Sequence, residues 1–276
     1  MGGGSNMTGS AACSARAGSL RLRCRWPWER PSTAAASTAM SGDRENAPVS
    51  RSISDARRSS VDLSKLYQHR FSEADKREME MVWRVLVQDF LSRWIKPSDA
   101  VLDVGAGTCH FINNVTARRR VAFDSNPEVG GYCRDGVEFA KGERVDVLGD
   151  GMFDVIFLSN VLEHLDGPTE VVELLAALRG KLADGGRLMI LQPNYALIGA
   201  KYFDFIDHKT VLTDRSLLEA LATAGGYRVT FMRRRFLPYT SKSAIPKAPW
   251  LVRLYLKLPL AQFLMGKQTF LVAEAE

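Results

Sequence analysis

The stretch Val101-Leu102-Asp103-Val104-Gly105-Ala106-Gly107 reads as a short strand running into a Gly-x-Gly turn, and Asp124 follows nineteen residues after Gly105. Glycines at such a turn let backbone approach a ligand where a Cβ would collide. An acid at the end of the next strand is placed to accept both hydroxyls of a ribose. Strand, turn and acid together predict a nucleoside-bearing cofactor over the carboxyl ends of the first two strands. A plain glycine turn beside a surface aspartate would not need this spacing.

The kind of cofactor follows from charge. A dinucleotide fingerprint wants a third glycine where the pyrophosphate meets a helix N-terminus, and that position is His110 here. Asp103, just before the turn, would repel a pyrophosphate but could hold a cationic or zwitterionic ligand, directly or through water. S-adenosylmethionine carries a sulfonium, an ammonium and a ribose, and no phosphate. It is the cofactor these charges favour.

Working outward, strands and helices alternate. An amphipathic helix over 73–95 comes first, with a cap at Ser72 and Asp75 and an end at Pro97. After the strand at 100–104, residues 109–117 suit a helix, and 120–123 a strand ending at Asp124. A third strand falls within 136–147, and 153–158 reads as a fully buried strand. Pro168 suits a first helical turn, followed by the apolar face Val171, Leu174, Leu175, Leu178 and Leu182. Strands at 187–191, 227–232 and 269–273 follow, with a helix over 214–224 capped by Thr213. This alternation predicts an α/β, Rossmann-like, mostly parallel sheet with helices on both faces.

The ordered segments Val101 to Gly107, Asp124, Phe153-Asp154-Val155-Ile156-Phe157-Leu158-Ser159-Asn160-Val161-Leu162-Glu163-His164-Leu165 and Leu182-Ala183-Asp184-Gly185-Gly186-Arg187-Leu188 resemble the motifs of class I S-adenosylmethionine-dependent methyltransferases. The likeness is to the bacterial-type small-molecule branch and covers about residues 65–276. It implies a seven-stranded sheet with an antiparallel last strand and the cofactor over strands one, two and four. By position, it implies Asp103, Gly105 and Gly107 along the methionine moiety and Asp124 on the ribose. Glu143 or Asp146 would lie near the adenine, and Ser159 and Asn160 near the amino-acid end. The family's further glycine is Cys109 here, which either crowds the cofactor or points into the helix–sheet contact. A methyltransferase-fold protein without catalysis, serving as a binding module or scaffold, is the competing class.

Methyl transfer is an in-line attack on an electrophilic sulfonium, so positioning supplies much of the acceleration and a general base is optional. The candidate bases are His164, after the fourth strand, and His208, in the aromatic and acidic run Tyr202-Phe203-Asp204-Phe205-Ile206-Asp207-His208. Some relatives carry a Glu-x-x-Glu-His segment with a later histidine that binds a divalent ion. Here the first carboxylate is replaced by Asn160, which weakens a hard-cation site, so no metal is expected.

Composition sets the remaining bounds. Of 276 residues, 46% are hydrophobic and 25% charged, which excludes a fibrous or wholly disordered chain. Residues 1–60 hold nine arginines against four acids and lack periodicity, which fits a disordered tail, transit-peptide-like in composition, or an over-extended start with Met7 or Met40 as the initiator. A leading helical segment, 61–98, and a domain over 99–276 follow. The body is almost charge-balanced, which argues against nucleic acid as a partner. The expected acceptor is a small molecule or a glycolipid-type saccharide, methylated on oxygen. Four cysteines without metal-ligand spacing point to a reducing compartment, the cytoplasm.

One charge asymmetry stands out. No acid occurs between Glu219 and Glu274, where nine basic residues fall, and an insert over 236–266 lies there between the last two strands. Within 247–266, Trp250, Leu251, Leu254, Tyr255, Leu258 and Phe263 accompany Arg253 and Lys257, with no acid near in sequence. Pro249 can start a helix and Pro259 break it. The segment suits either peripheral contact with a membrane or a lid packed on the sheet edge.

Overall fold

The computed structural model describes residues 73–239 and 248–276, all within the compact unit Ser59–Glu276. The tail 1–60, the cap at Ser72, and Lys242 and Lys247 lie outside the described residues.

Seven strands form one sheet in the order β3-β2-β1-β4-β5-β7-β6. They are β1 (Ala100–Val104), β2 (Arg119–Asp124), β3 (Val137–Lys141), β4 (Phe153–Ser159), β5 (Leu182–Pro193), β6 (Tyr227–Arg233) and β7 (Gln268–Ala275). The ladders from β3 through β5 are parallel, while β7 runs antiparallel between β5 and β6. The order reverses at β1, whose neighbours are β2 and β4. A crevice opens at such a switch point, above the carboxyl ends of the strands.

The central strands are buried on both faces, which is why they read as near-continuous apolar runs. Alternation sorts their side chains. Leu102, Val104, Ile156 and Ile190 pack under α2 (Pro168–Lys181) and, beyond the short α3 (Tyr195–Ile198), under α4 (Asp214–Ala224). On the other face Val101, Val155, Phe157 and Phe270 pack with Leu86 and Phe90 of α1 (Glu73–Asp89) and its following turn. Leu256 of α5 (Pro249–Lys257) joins that second cluster, and α6 (Pro259–Met265) follows.

Local chemistry sets most helix ends. Pro168 occupies the first turn of α2. At α4, Thr213 accepts from the Ser216 N–H at 3.1 Å and Ser216 accepts from the Thr213 N–H at 2.8 Å, a reciprocal cap. Pro259 separates α5 from α6, as the insert's sequence predicts.

Three expectations need correction. The helix predicted over 73–95 ends at Asp89 and continues only as a 3-10 turn, Leu91–Trp94. Residues 109–117 form no α-helix. The Asn114 side chain takes the His110 carbonyl at 2.8 Å while its backbone N–H bonds to Phe111, leaving a single 3-10 turn, Ile112–Asn114. Arg253 does have an acidic neighbour, because folding brings Asp89 of α1 to 2.9 Å from it.

Candidate active site

The carboxyl edge of the sheet gathers the candidate residues. Gly105 and Gly107 both take positive φ, at 67° and 51°. A Cβ on Gly105 would sit 2.6 Å from Val161 Cγ2, so this glycine lets the loop after β1 close on the loop after β4. At Gly107 a Cβ would meet nothing within 4 Å, so this residue faces open space and is needed for its backbone conformation. Gly105→Ala is expected to cost about 2 kcal/mol of stability, because Val161 is β-branched and cannot turn away. Urea denaturation measures that loss.

Asp124 ends β2 half-buried. Its two oxygens accept from the Gly107 N–H at 3.0 Å and the Asn126 N–H at 2.9 Å, which locks the turn. A carboxylate has about four acceptor positions, so capacity remains for a ligand. Gly105 and Ala106 N–H both donate to the Phe123 carbonyl. All three amides of the turn are therefore engaged, and no cradle for a pyrophosphate is left. Asp103 lies beneath, 3% exposed, and takes a hydrogen bond from the Ile112 N–H. Burial, and then the Asp124 carboxylate, push its carboxyl well above the ordinary carboxylate range. A cation in the crevice would relieve that repulsion. The donor set therefore fits a sulfonium and ammonium with a ribose, as in S-adenosylmethionine, and not a phosphate.

Cys109 also takes a positive φ, 58°, which explains why a glycine would be at home there. Its side chain is fully buried in the α1-side core with Sγ 3.5 Å from Cys133 Sγ, so it points into the helix–sheet packing. Glu80 of α1 holds this loop from outside, reaching His110 at 3.0 Å and Asn114 at 3.1 Å. Burial raises the Glu80 carboxyl, but hydrogen bonds from Asn114, His110 and Arg134 outweigh it and leave it below the ordinary range.

Ser159 and Asn160 end β4 beside the same loop. Asn160 adopts φ 54°, its N–H bonds to the Leu191 carbonyl, and its amide donates to Ser159 Oγ. Between the adenine-side alternatives, Asp146 pairs with Arg144 at 2.8 Å. Glu143 is exposed and follows Gly142, whose N–H bonds to the Asp124 carbonyl. That bond ties the Glu143 loop to the end of β2.

His164 and His208 come together, with ring centroids 5.1 Å apart. His164 Nδ1 lies 3.0 Å from the Asp207 carbonyl oxygen. A carbonyl only accepts, so Nδ1 carries the proton, and in the neutral ring Nε2 is the acceptor. His208 stacks on Phe205 and packs against Tyr202, and its Nδ1 lies 3.4 Å from the Tyr239 hydroxyl. Asp207 and Tyr239 are the residues that sequence reasoning did not single out. Asp207 was signalled only by its place in the run before His208, and Tyr239 only by the distinctive stretch that begins at Phe236.

Glu163 is 1% exposed, with one oxygen on the Gln192 amide and the other without a partner among the described residues. Burial pushes its carboxyl up to about 8. Glu163, His164 and His208 each bring a ligand atom within 4.8 Å of the others, a spacing that could hold a cation.

A family model described as a methyltransferase domain matches residues 76–236. Among solved structures, an S-adenosylmethionine-dependent methyltransferase from Mesorhizobium loti is 14% identical, with a TM-score of 0.50, covering 67% of this chain and 95% of that one. An S-adenosylmethionine-dependent methyltransferase from Thermotoga maritima is 15% identical, with a TM-score of 0.52, over 77% of this chain and 95% of that one. The [4+2]-cyclase SpnF is 16% identical, with a TM-score of 0.50, over 69% and 80% of the two chains. No curated protein sequence matches the chain.

Proposed function

This chain belongs to the class I S-adenosylmethionine-dependent methyltransferases, and we propose that it methylates a hydroxyl of a small molecule or lipid-linked saccharide. The observation that carries the proposal is His164, whose Nδ1 proton is committed to the Asp207 carbonyl. In the neutral ring its Nε2 is then the acceptor, and Asp207 Oδ2, 3.4 Å from the same Nδ1, holds the ring in that orientation. A hydroxyl, unlike an amine, must shed a proton as it attacks, so a positioned base gains most on oxygen. His208, beside it, would contact the acceptor. Around the pair, Tyr195, Tyr202, Phe205 and Tyr239 form one aromatic group, and Phe203 extends it toward solvent at 55% exposure. Ring faces with polar rims suit the apolar face of a sugar as well as an aromatic acceptor. The near-balanced charge of residues 61–276 speaks against nucleic acid.

In the reaction, bound S-adenosylmethionine supplies the electrophilic methyl group. Asp124, with Glu143 beside it, would hold the nucleoside end, and Ser159 and Asn160 the amino-acid end. His164 Nε2 would take the acceptor proton. The test incubates extracts with the protein and methyl-labelled cofactor and searches for labelled products. An O-methylated small molecule or glycolipid is expected, and His164→Gln should lower kcat about a hundredfold or more with little change in cofactor affinity. Label on nitrogen or on RNA would overturn the reading.

A further inference from the structure

We propose that the α5–α6 pair docks the protein on a bilayer containing anionic phospholipid. This goes beyond the acceptor assignment and does not depend on it. The two helices divide their side chains between two environments. Inward, Val252, Tyr255 and Leu256 pack on the core, and the Tyr255 hydroxyl donates to the Phe236 carbonyl. Outward, Trp250 (63% exposed) and Leu254 lie one turn apart on α5, with Leu258 at the joint. Leu260, Phe263 and Leu264 share one face of α6, and they are 61–70% exposed. So many large exposed apolar side chains on sixteen consecutive residues are unusual for a surface that meets only water.

Charge names the occupant. Lys257 lies on the same helical face as Trp250 and Leu254, is exposed, and has no acidic partner among the described residues. The Arg235 guanidinium sits 5.0 Å over the Phe263 ring and donates to its carbonyl. Asp89, paired with Arg253, is the one acid that reaches these helices among the described ion pairs. Apolar side chains rimmed by uncompensated cations match the interface of an anionic leaflet, where each cation adds attraction. The arginine-rich residues 1–60 would be repelled by such a patch and are a poor occupant for it. No described helix is long and apolar enough to cross a membrane, so the contact is peripheral.

The location gives docking a use. Lys267 and Gln268, which follow α6 after Gly266, donate backbone N–H bonds to the Leu237 carbonyl, and the Gln268 amide bonds to the Pro238 carbonyl. The next residue, Tyr239, reaches His208. A bilayer held by α6 would thus connect to the candidate acceptor site through Gly266 to Gln268 and the Leu237 to Tyr239 segment.

Co-sedimentation of the full chain with phosphatidylcholine vesicles, with and without phosphatidylglycerol, tests the proposal. Binding is expected only with phosphatidylglycerol and should weaken as salt rises. Phe263→Ser/Leu264→Ser and Trp250→Ser/Leu254→Ser should each lower partition about tenfold or more. Lys257→Glu should lower it about tenfold. These side chains are exposed, so melting temperature and cofactor affinity should stay at wild-type values, which shows the variants are folded. No sedimentation at low salt overturns the proposal. Binding that survives both apolar double variants also overturns it and moves the contact to residues 1–60. So does a dimer, formed without vesicles, that the same variants dissociate, because the patch then belongs to a second copy of the chain.

Discussion

Asp124→Ala is expected to bind S-adenosylmethionine about a hundredfold more weakly than the unaltered chain. Two losses add. On the proposed reading the carboxylate would accept from ribose hydroxyls, and hydrogen bonds to a charged group are worth about 1.5–3 kcal/mol. It also restrains the Gly107 and Asn126 amides, so the Gly-x-Gly turn loosens when it goes. Asp124→Asn keeps one acceptor oxygen and should lose only about tenfold, since an amide cannot accept with both of its ends. Calorimetry with S-adenosylmethionine and S-adenosylhomocysteine measures both. Unchanged affinity in a folded Asp124→Ala would remove the residue from the cofactor site.

Phe90→Ala should cost about 3–5 kcal/mol of folding stability, as removal of a buried aromatic does. Phe90 is 1% exposed at the end of α1, with ring centroids 4.4 Å from Phe236, 5.3 Å from Trp94 and 5.4 Å from Phe270. The Arg93 and Arg233 guanidinium groups lie 4.8 and 5.3 Å from its centroid. It therefore joins α1, β7 and the start of the insert in one cluster. The loss should also reach the cofactor, because α1 carries Glu80, which holds His110 and Asn114. Urea denaturation followed by tryptophan fluorescence measures the stability. A loss under about 1 kcal/mol would mean that α1 docks outside the cooperative unit.

Some of this was legible in the chain because its causes are local. The Gly-x-Gly turn needs positive φ at Gly105 and Gly107, and glycine supplies it without steric cost. Thr213 and Ser216 cap α4 within one turn of backbone, and Pro168 and Pro259 act on their own helices. The buried strands announce themselves by apolar runs that no helix of that length would need. Where local preferences compete, sequence reasoning failed. The helix at 109–117 was lost to a side chain, Asn114, that takes a helix carbonyl for itself.

What the sequence determined alone was the order of the strands, the Gly-x-Gly turn and the acid that follows it, since each rests on neighbours within a few residues. That β7 runs antiparallel came only through resemblance to a family, and its place between β5 and β6 came from the structure. The tertiary structure decided the rest. It turned Cys109 into the core toward Cys133, twenty-four residues on. It neutralised Arg253 with an acid 164 residues away. It also brought His164, Asp207, His208 and Tyr239, from three separate loops, into one group. No spacing rule along the chain encodes such meetings, because they depend on which strand ends the sheet sets side by side.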